Sequence, residues 1–402
     1  MNKKKLIKHL EKGQFFEFLK NKKKHYDPRG ILIGERQGKN LFHVEKVEGG
    51  GSITKYLSDT LNKEGTSSFV KALHQTMNQP DIQNGEDTGC GPKELSRGAN
   101  GVALRVCLNS IQRIDDTYDC ETCRAIKLPL RSEGLEDLMI ERGVTETLYN
   151  GMRKSRFSGW QHIVKPDSIA DQKVGILSLE LILPAQENIY TVSDLIKDSY
   201  KNNYLDEGEW KNIMVQLWGT LSEIRRNAPN FQHNDIHYKN VMLSRWPEEE
   251  SPQIFRSKSG AVYQAKKGKF FVKIIDFGQT TCDIPTLNTR EGMLLWNKWA
   301  RCPAVDFVRF TSNIYEEAYQ IFFQNEKSMP IYMQNFLNLM KSVLEQPLAS
   351  PRTPPFMNDN FFSYPNHGGF RNTSEWWFRQ VASMQASPEL LLENSYFDLF
   401  KL

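Results

Sequence analysis

His233-Asn234-Asp235-Ile236-His237-Tyr238-Lys239-Asn240 is followed further along the chain by Lys273-Ile274-Ile275-Asp276-Phe277-Gly278. Asp235 and Asn240 stand five positions apart in a stretch that reads as a loop, and Asp276 closes a short apolar strand pattern. A carboxylate next to a reacting hydroxyl can act as a general base. An amide oxygen and a second carboxylate are the hard ligands that magnesium accepts while it keeps water and phosphate oxygens. Each fragment recurs by chance in other proteins. In this order, with the right partners upstream, they form the layout that phosphoryl transfer requires.

Those partners are present. Ser96-Arg97-Gly98-Ala99-Asn100-Gly101-Val102-Ala103 lies between two strand signals. Glycine in such a turn lets the backbone approach phosphate oxygens without a Cβ clash. Ala125-Ile126-Lys127 lies in a second β run, Arg124–Leu128, with Lys127 twenty-six positions after Gly101. An ammonium on a strand can bridge phosphates if an acidic group orients it. The helix expected over Glu133–Lys154 offers Glu141 and Glu146. At about 100° per residue, Glu146 falls with Leu135, Leu138, Met139 and Tyr149, and Glu141 points away. Glu146 is therefore the expected partner.

The ordered set closely resembles the protein kinase superfamily, from about Gly91 to the end of the chain. The resemblance implies an α+β, bilobal, protein-kinase-like fold with a small β-rich N-lobe and a larger helical C-lobe. It implies ATP held by Ser96, Gly98, Ala99, Asn100, Gly101 and Lys127, with Glu146 orienting the lysine. Asp235 becomes the catalytic base, while Asn240 and Asp276 become the Mg2+ ligands. His233 supports the loop from beneath, and Asp306 in Ala304-Val305-Asp306-Phe307 braces its backbone. Ser387–Phe397 is similar to the closing helix of kinase domains. The implied activity is transfer of the ATP γ-phosphate to Ser or Thr of protein substrates.

The departures from the pattern are informative. Ser96 stands where the first glycine is usual, and Ala103 where valine is usual. Asn234 replaces the arginine that normally pairs with a phosphorylated activation segment, so no such electrostatic lock is expected. Candidate hydroxyls in the segment Gln279–Pro303 are Thr280, Thr281, Thr286 and Thr289, and Arg290, Arg301 or another distant cation is the alternative source of charge. His237 occupies the usual lysine position two residues after the base, and Lys239 is placed to supply the missing charge. An imidazole there is also similar to haspin and to aminoglycoside phosphotransferase-like enzymes. A small-molecule phosphotransferase is therefore the second reading and a pseudokinase scaffold the third. No Ala-Pro-Glu follows. The short activation segment, the long Asn240-to-Asp276 interval and the lysine-rich start together resemble the divergent kinases of large cytoplasmic DNA viruses.

Three regions are expected: a lysine-rich extension over 1–90, an N-lobe over 91–185, and a C-lobe over 186–402 with an insertion at about 245–269. The insertion reads as an extra strand pair. The helix Asp206–Arg226, with Asp206 and Glu209 in a capping arrangement, leads directly into the His233–Asn240 loop. Its apolar stripe is Ile213, Leu217, Leu221 and Ile224. Pro347–Pro365 reads as a long surface loop.

In 402 residues, 52 basic and 48 acidic side chains leave a formal net charge of +4. So even a balance argues against a nucleic-acid-coating protein, and no nucleic-acid partner is expected. The longest apolar run, near Val174–Ala185, is too short to span a bilayer. No signal peptide or lipidation box is read, so no membrane partner is expected. Cys120-x-x-Cys123 lacks the second close pair of a zinc site and reads as reduced thiols. A soluble, cytoplasmic protein is the expectation, in host cytoplasm or virion if the viral resemblance holds.

Overall fold

The computed structural model describes residues 72–73, 92–97, 101–112, 118–129, 132–167, 177–247 except 187 and 203–204, 252–293 except 258 and 291, 304–344 except 319–320 and 323–328, and 387–402. Apart from residues 72–73, the expected extension over 1–90 lies outside the described residues. So do Gly98, Ala99 and Asn100 of the glycine-containing turn, and the Pro347–Pro365 stretch. The fold is α+β and divides into two compact units. One comprises the described residues up to Arg142 together with Pro166–Leu181; the other comprises Gly143–Lys165 and the chain from Ile182 onward.

The first unit is built on a four-stranded antiparallel sheet in the order β1-β2-β3-β4. Its strands are β1 (Lys93–Arg97), β2 (Gly101–Gln112), β3 (Tyr118–Pro129) and β4 (Leu177–Glu180). Pairing of β2 with β3 runs from Gly101 opposite Pro129 to Gln112 opposite Tyr118. Alternation sends Val102, Leu104, Val106, Ile126 and Leu128 into the core. Lys127 falls between two of these apolar residues, so its side chain leaves by the other face of the sheet. Within the strand-like run expected over Val174–Leu183, residues 177–180 form β4, and 174–176 lie outside the described residues.

The expectation of reduced thiols is corrected at Cys123, which is disulfide-bonded to Cys107. The β2–β3 register sets these two residues directly opposite each other. Sixteen positions separate them in sequence, so only the strand pairing brings the sulfurs together.

Helix α1 (Ser132–Met152) follows β3, and the boundary between the units passes through it at Arg142 and Gly143. The second unit holds α2 (Val192–Asn202), α3 (Glu207–Asn227), α4 (Val305–Ala318), α5 (Ile331–Leu344) and the short α6 (Pro388–Leu392). Two ribbons complete it. Strand β5 (Val241–Ser244) pairs with β8 (Phe271–Ile274), while β6 (Gln253–Arg256) pairs with β7 (Val262–Ala265). The segment between β5 and β8 thus contains its own antiparallel strand pair.

Helix α3 is the spine of this unit. Asp206 caps it, its carboxylate accepting from the Glu209 N–H at 2.7 Å. The expected apolar stripe is buried, and so is the opposite, partly polar face. Asn212 Nδ2 donates to the Lys266 carbonyl at 2.8 Å, and its Oδ1 accepts from the Lys266 N–H at 3.0 Å. Gln216 does the same one turn later, donating to the Phe270 carbonyl and accepting from the Val272 N–H. Glu223 accepts from the Gly159 and Arg256 N–H groups at 2.9 and 3.2 Å. These side chains satisfy strand and loop backbone that would otherwise be buried unpaired. Gly219 stands between Gln216 and Glu223, and a Cβ there would lie 2.5 Å from the Phe255 ring. Phe255 fills that space and is fully buried.

Burial pushes the Glu223 carboxyl up to about 8, against the pull of its two backbone N–H donors and of Arg226. A raised folded-state value means the protonated fold is favoured. The stabilisation is complete below the ordinary value of 4.5 and is lost as pH climbs toward 8. Melting temperature is therefore expected to fall from pH 5 to pH 8 more steeply in the wild type than in Glu223→Gln, which cannot ionise. Parallel pH profiles for the two proteins would contradict this.

Candidate active site

The β5–β8 ribbon organises the candidate site in the second unit. Val241 pairs with Ile274, so Asn240 and Ile275-Asp276 emerge at the same end of the ribbon. The Ile275 N–H donates to the Asn240 carbonyl at 3.1 Å and extends the ladder by one step. Asn240 Nδ2 donates to the Asp235 backbone carbonyl at 2.9 Å and reaches the Asp235 carboxylate at 3.4 Å. With the amide nitrogen committed to Asp235, the side-chain oxygen Oδ1 is left as its acceptor and ligand atom.

The backbone around these residues is unusual. Asn234 and Asp276 both have left-handed φ angles, 61° and 65°. Asn and Asp tolerate this region better than other non-glycine residues, and such conformations persist where the surroundings enforce them. At Asn234 the enforcement comes largely from Asp306, in the first turn of α4 and 4% exposed. Its two carboxylate oxygens accept from the His233 N–H at 2.8 Å and the Asn234 N–H at 2.7 Å. Burial raises the Asp306 carboxyl above its ordinary range, opposed by His233, the two backbone donors and Arg225.

His233 is buried beneath the loop. Its Nε2 donates to the Ile275 carbonyl at 3.0 Å, and its Nδ1 accepts from the Asp235 N–H at 3.3 Å. The ring packs on Phe277 with centroids 5.0 Å apart. One tautomer satisfies both bonds and ties the Asp235 loop to the strand that ends at Asp276. His237 lies two residues beyond Asp235, its Nδ1 accepting from the Lys239 N–H at 3.2 Å. Its pKa is lowered to about 4, first by burial and then by Arg309 and His233. His237 is consequently a neutral imidazole at physiological pH, with its proton on Nε2. Lys239 is exposed, its ammonium 5.9 Å from the centre of the Tyr238 ring.

In the first unit, Ser96 is an exposed residue of β1 paired with Ala103, and Gly101 opens β2. Lys127 sits on β3 between Ala103 and Leu177 of the neighbouring strands. Its ammonium meets Glu141, with Nζ 3.1 and 2.9 Å from the two carboxylate oxygens. The expected partner Glu146 is thereby corrected to Glu141. Burial explains the reversal: Leu138, Glu141, Val144, Thr145, Leu148, Tyr149 and Met152 make the covered stripe of α1, whereas Glu146 is half-buried. Weighting Leu135 and Met139 tilts the sequence-based helical wheel toward Glu146, whereas Val144 and Leu148 mark the true inner face.

Glu141 is 4% exposed, so removing its charge strands a neighbouring ammonium in a largely desolvated place. Glu141→Gln is expected to lower any Lys127-dependent activity at least tenfold, and Glu146→Gln to change it less than twofold. Rates measured on both purified variants check this, and the reverse ranking would restore Glu146.

Asp235 has a partner that the sequence reading did not single out. Arg309 of α4 forms an ion pair with the Asp235 carboxylate and donates a second hydrogen bond to the Asn234 carbonyl. A usable signal existed, because Arg309 follows the brace Asp306 by three positions and shares its helix face.

A magnesium site fits the donor set at the ribbon end, with the Asn240 amide oxygen and the Asp276 carboxylate as two hard ligands. Among the described residues, no group of three or more His, Cys, Asp or Glu could hold a metal. Also among the described residues, no helix is long and apolar enough to cross a membrane. Compared with known proteins, the chain matches no family model and no curated protein.

Proposed function

We propose that this protein is an ATP-dependent, magnesium-assisted protein kinase that phosphorylates Ser or Thr, with the first unit serving as the small lobe and the second as the large lobe of a bilobal kinase fold. The observation that carries the reading is the loop Asp235–Asn240, joined by the β5–β8 ribbon to Asp276 and held by Asp306. Asp235 is hydrogen-bonded to Asn240, and the ribbon brings Asn240 to the same end as Asp276; these residue types suit the proposed roles.

Asp235 orients the acceptor hydroxyl and takes its proton as the oxygen attacks the γ-phosphorus and the bond to the departing ADP oxygen breaks. Asn240 and Asp276 hold magnesium, which when bound offsets negative charge on the phosphates. Lys127, oriented by Glu141, binds phosphate oxygens of ATP. Neutral His237 offers an Nε2–H donor where a lysine is usual, and exposed Lys239 supplies positive charge near the acceptor.

Asn234 bears on regulation. Its Nδ2 donates to the Gln279 carbonyl at 2.8 Å and to Thr281 Oγ1 at 2.9 Å. Gln232 and Thr281 exchange backbone hydrogen bonds beside it. Neutral hydrogen bonds thus tie the loop to the segment after Gly278, where an arginine and a phosphate would otherwise do so. Thr280, Thr281 and Thr289 are buried and hydrogen-bonded, so a kinase would have to open this segment to reach them. Phosphatase treatment is expected to leave the rate unchanged within twofold. Thr286 is exposed, and a loss restored by rephosphorylating it, or Thr280, Thr281 or Thr289, would refute this.

The deciding experiment incubates the purified chain with magnesium and γ-labelled ATP, with a mixed protein pool in one arm and hydroxylated small molecules in the other. Label on protein Ser or Thr supports the proposal. Label only on small molecules supports the second reading, which the neutral His237 favours. ATP binding with no transfer in either arm would identify a scaffold. The viral resemblance makes cytoplasm or virion the place to look for substrates.

A further inference from the structure

The N-terminal part of α4 grips the loop around Asp235 at four points. Asp306 accepts the N–H groups of His233 and Asn234, so its negative charge meets donors. One turn later, Arg309 donates to the Asn234 carbonyl and to the Asp235 carboxylate, so its positive charge meets acceptors. Three consecutive loop residues are held by two oppositely charged side chains of one helix face. The Arg309 and Asp235 side chains are each only 16% exposed, so water screens the pair weakly. The other carboxylate oxygen of Asp235 faces Asn240 Nδ2 at 3.4 Å.

We propose that Arg309 is a positioning residue for the proposed catalytic base, fixing the direction of the Asp235 carboxylate from inside the fold. This rests on the kinase reading above. A planar guanidinium is suited to the task, because its fork takes the backbone carbonyl and the neighbouring carboxylate together, which the single ammonium of lysine does less well. With two groups fixed by one rigid plane, Asp235 keeps its rotamer while an acceptor hydroxyl approaches its remaining lone pairs. Asn234 is uncharged and engages the segment after Gly278, so it does not supply this cation. The base is accordingly oriented by a residue built into α4, without help from a modified activation segment.

The test is a double-mutant cycle on phosphoryl transfer by the full chain, using Arg309→Ala, Asp235→Asn and the pair. Arg309→Ala is expected to lower kcat about 10- to 100-fold, the scale of a misplaced catalytic group, with Mg-ATP affinity unchanged within twofold. Because Arg309 acts through Asp235, adding Arg309→Ala to Asp235→Asn is expected to cost less than twofold more. Hydrogen exchange of the nucleotide-free protein should quicken at 233–240 and remain unchanged in the β6–β7 ribbon. If Arg309→Ala fails to unfold cooperatively, Arg309→Gln replaces it in the same cycle, since it keeps a donor and much of the volume but loses the charge and the fork. A wild-type kcat in the variant used, or losses that multiply in the double variant, would overturn the inference alone. A wild-type chain that transfers no phosphate, or an Asp235→Asn variant as active as wild type, would overturn the kinase reading and this inference with it.

Discussion

Asp276→Asn is expected to reduce phosphoryl transfer about a thousandfold or more, and Asp235→Asn to do the same by a different route. Loss of about 4 kcal/mol of transition-state stabilisation corresponds to roughly that factor. Asp276 has a left-handed φ of 65°, a conformation that Asn also tolerates, so the substitution removes charge and leaves the backbone in place. The two variants are expected to separate on nucleotide binding. Under the proposed function, Asp276→Asn is expected to weaken Mg-ATP binding by removing a carboxylate ligand, with little effect on ATP measured without the metal. Under the proposed function, Asp235→Asn is expected to leave Mg-ATP binding nearly intact, because a base at Asp235 would act on the acceptor. Titration calorimetry with and without magnesium, beside single-turnover rates, distinguishes the two. Near-normal turnover in either variant would refute its assigned role.

Asp306→Ala is expected to destabilise the second unit by about 2–6 kcal/mol and to abolish activity in whatever remains folded. The estimate follows from the two loop N–H groups that would lose their acceptor, each costing about 1–3 kcal/mol when left buried. Both lie at buried residues, His233 and Asn234, and no alternative acceptor for them is seen in the described structure. Asp306→Asn should be milder but still damaging, because an amide accepts through one atom and presents N–H donors from the other. Denaturant unfolding of the two variants gives the ranking. An Asp306→Ala protein as stable as wild type would show that the loop finds other partners.

How far the chain could be read without coordinates depends on how local each feature is. The Asp206 cap, α3, the start of α4 near Asp306 and the β2–β3 alternation follow from neighbours within a few positions, and each was legible. The support given by His233 and Asp306 was legible as well, through the family resemblance. The choice between Glu141 and Glu146 was not. Both lie on one helix, and only the burial of Val144, Thr145 and Leu148 shows which side faces inward. The Cys107–Cys123 bond was hidden for a related reason, since strand register has no marker in either strand alone.

The sequence by itself determined the chemical inventory: a carboxylate and an amide five positions apart, a second carboxylate before Phe-Gly, a strand lysine, and an amphipathic helix that leads into the loop. Residue type and short-range spacing suffice for these, because backbone geometry over one loop or one turn depends little on distant contacts. Only the tertiary structure decided the partners. It gave Lys127 to Glu141 and Asp235 to Arg309, and it set Asn212, Gln216 and Glu223 against the backbone of the segment between β5 and β8 and its neighbours. Each of these pairings depends on which face of an element is desolvated. Desolvation is settled by everything packed against that face, so these contacts could not be read from any one segment of the chain.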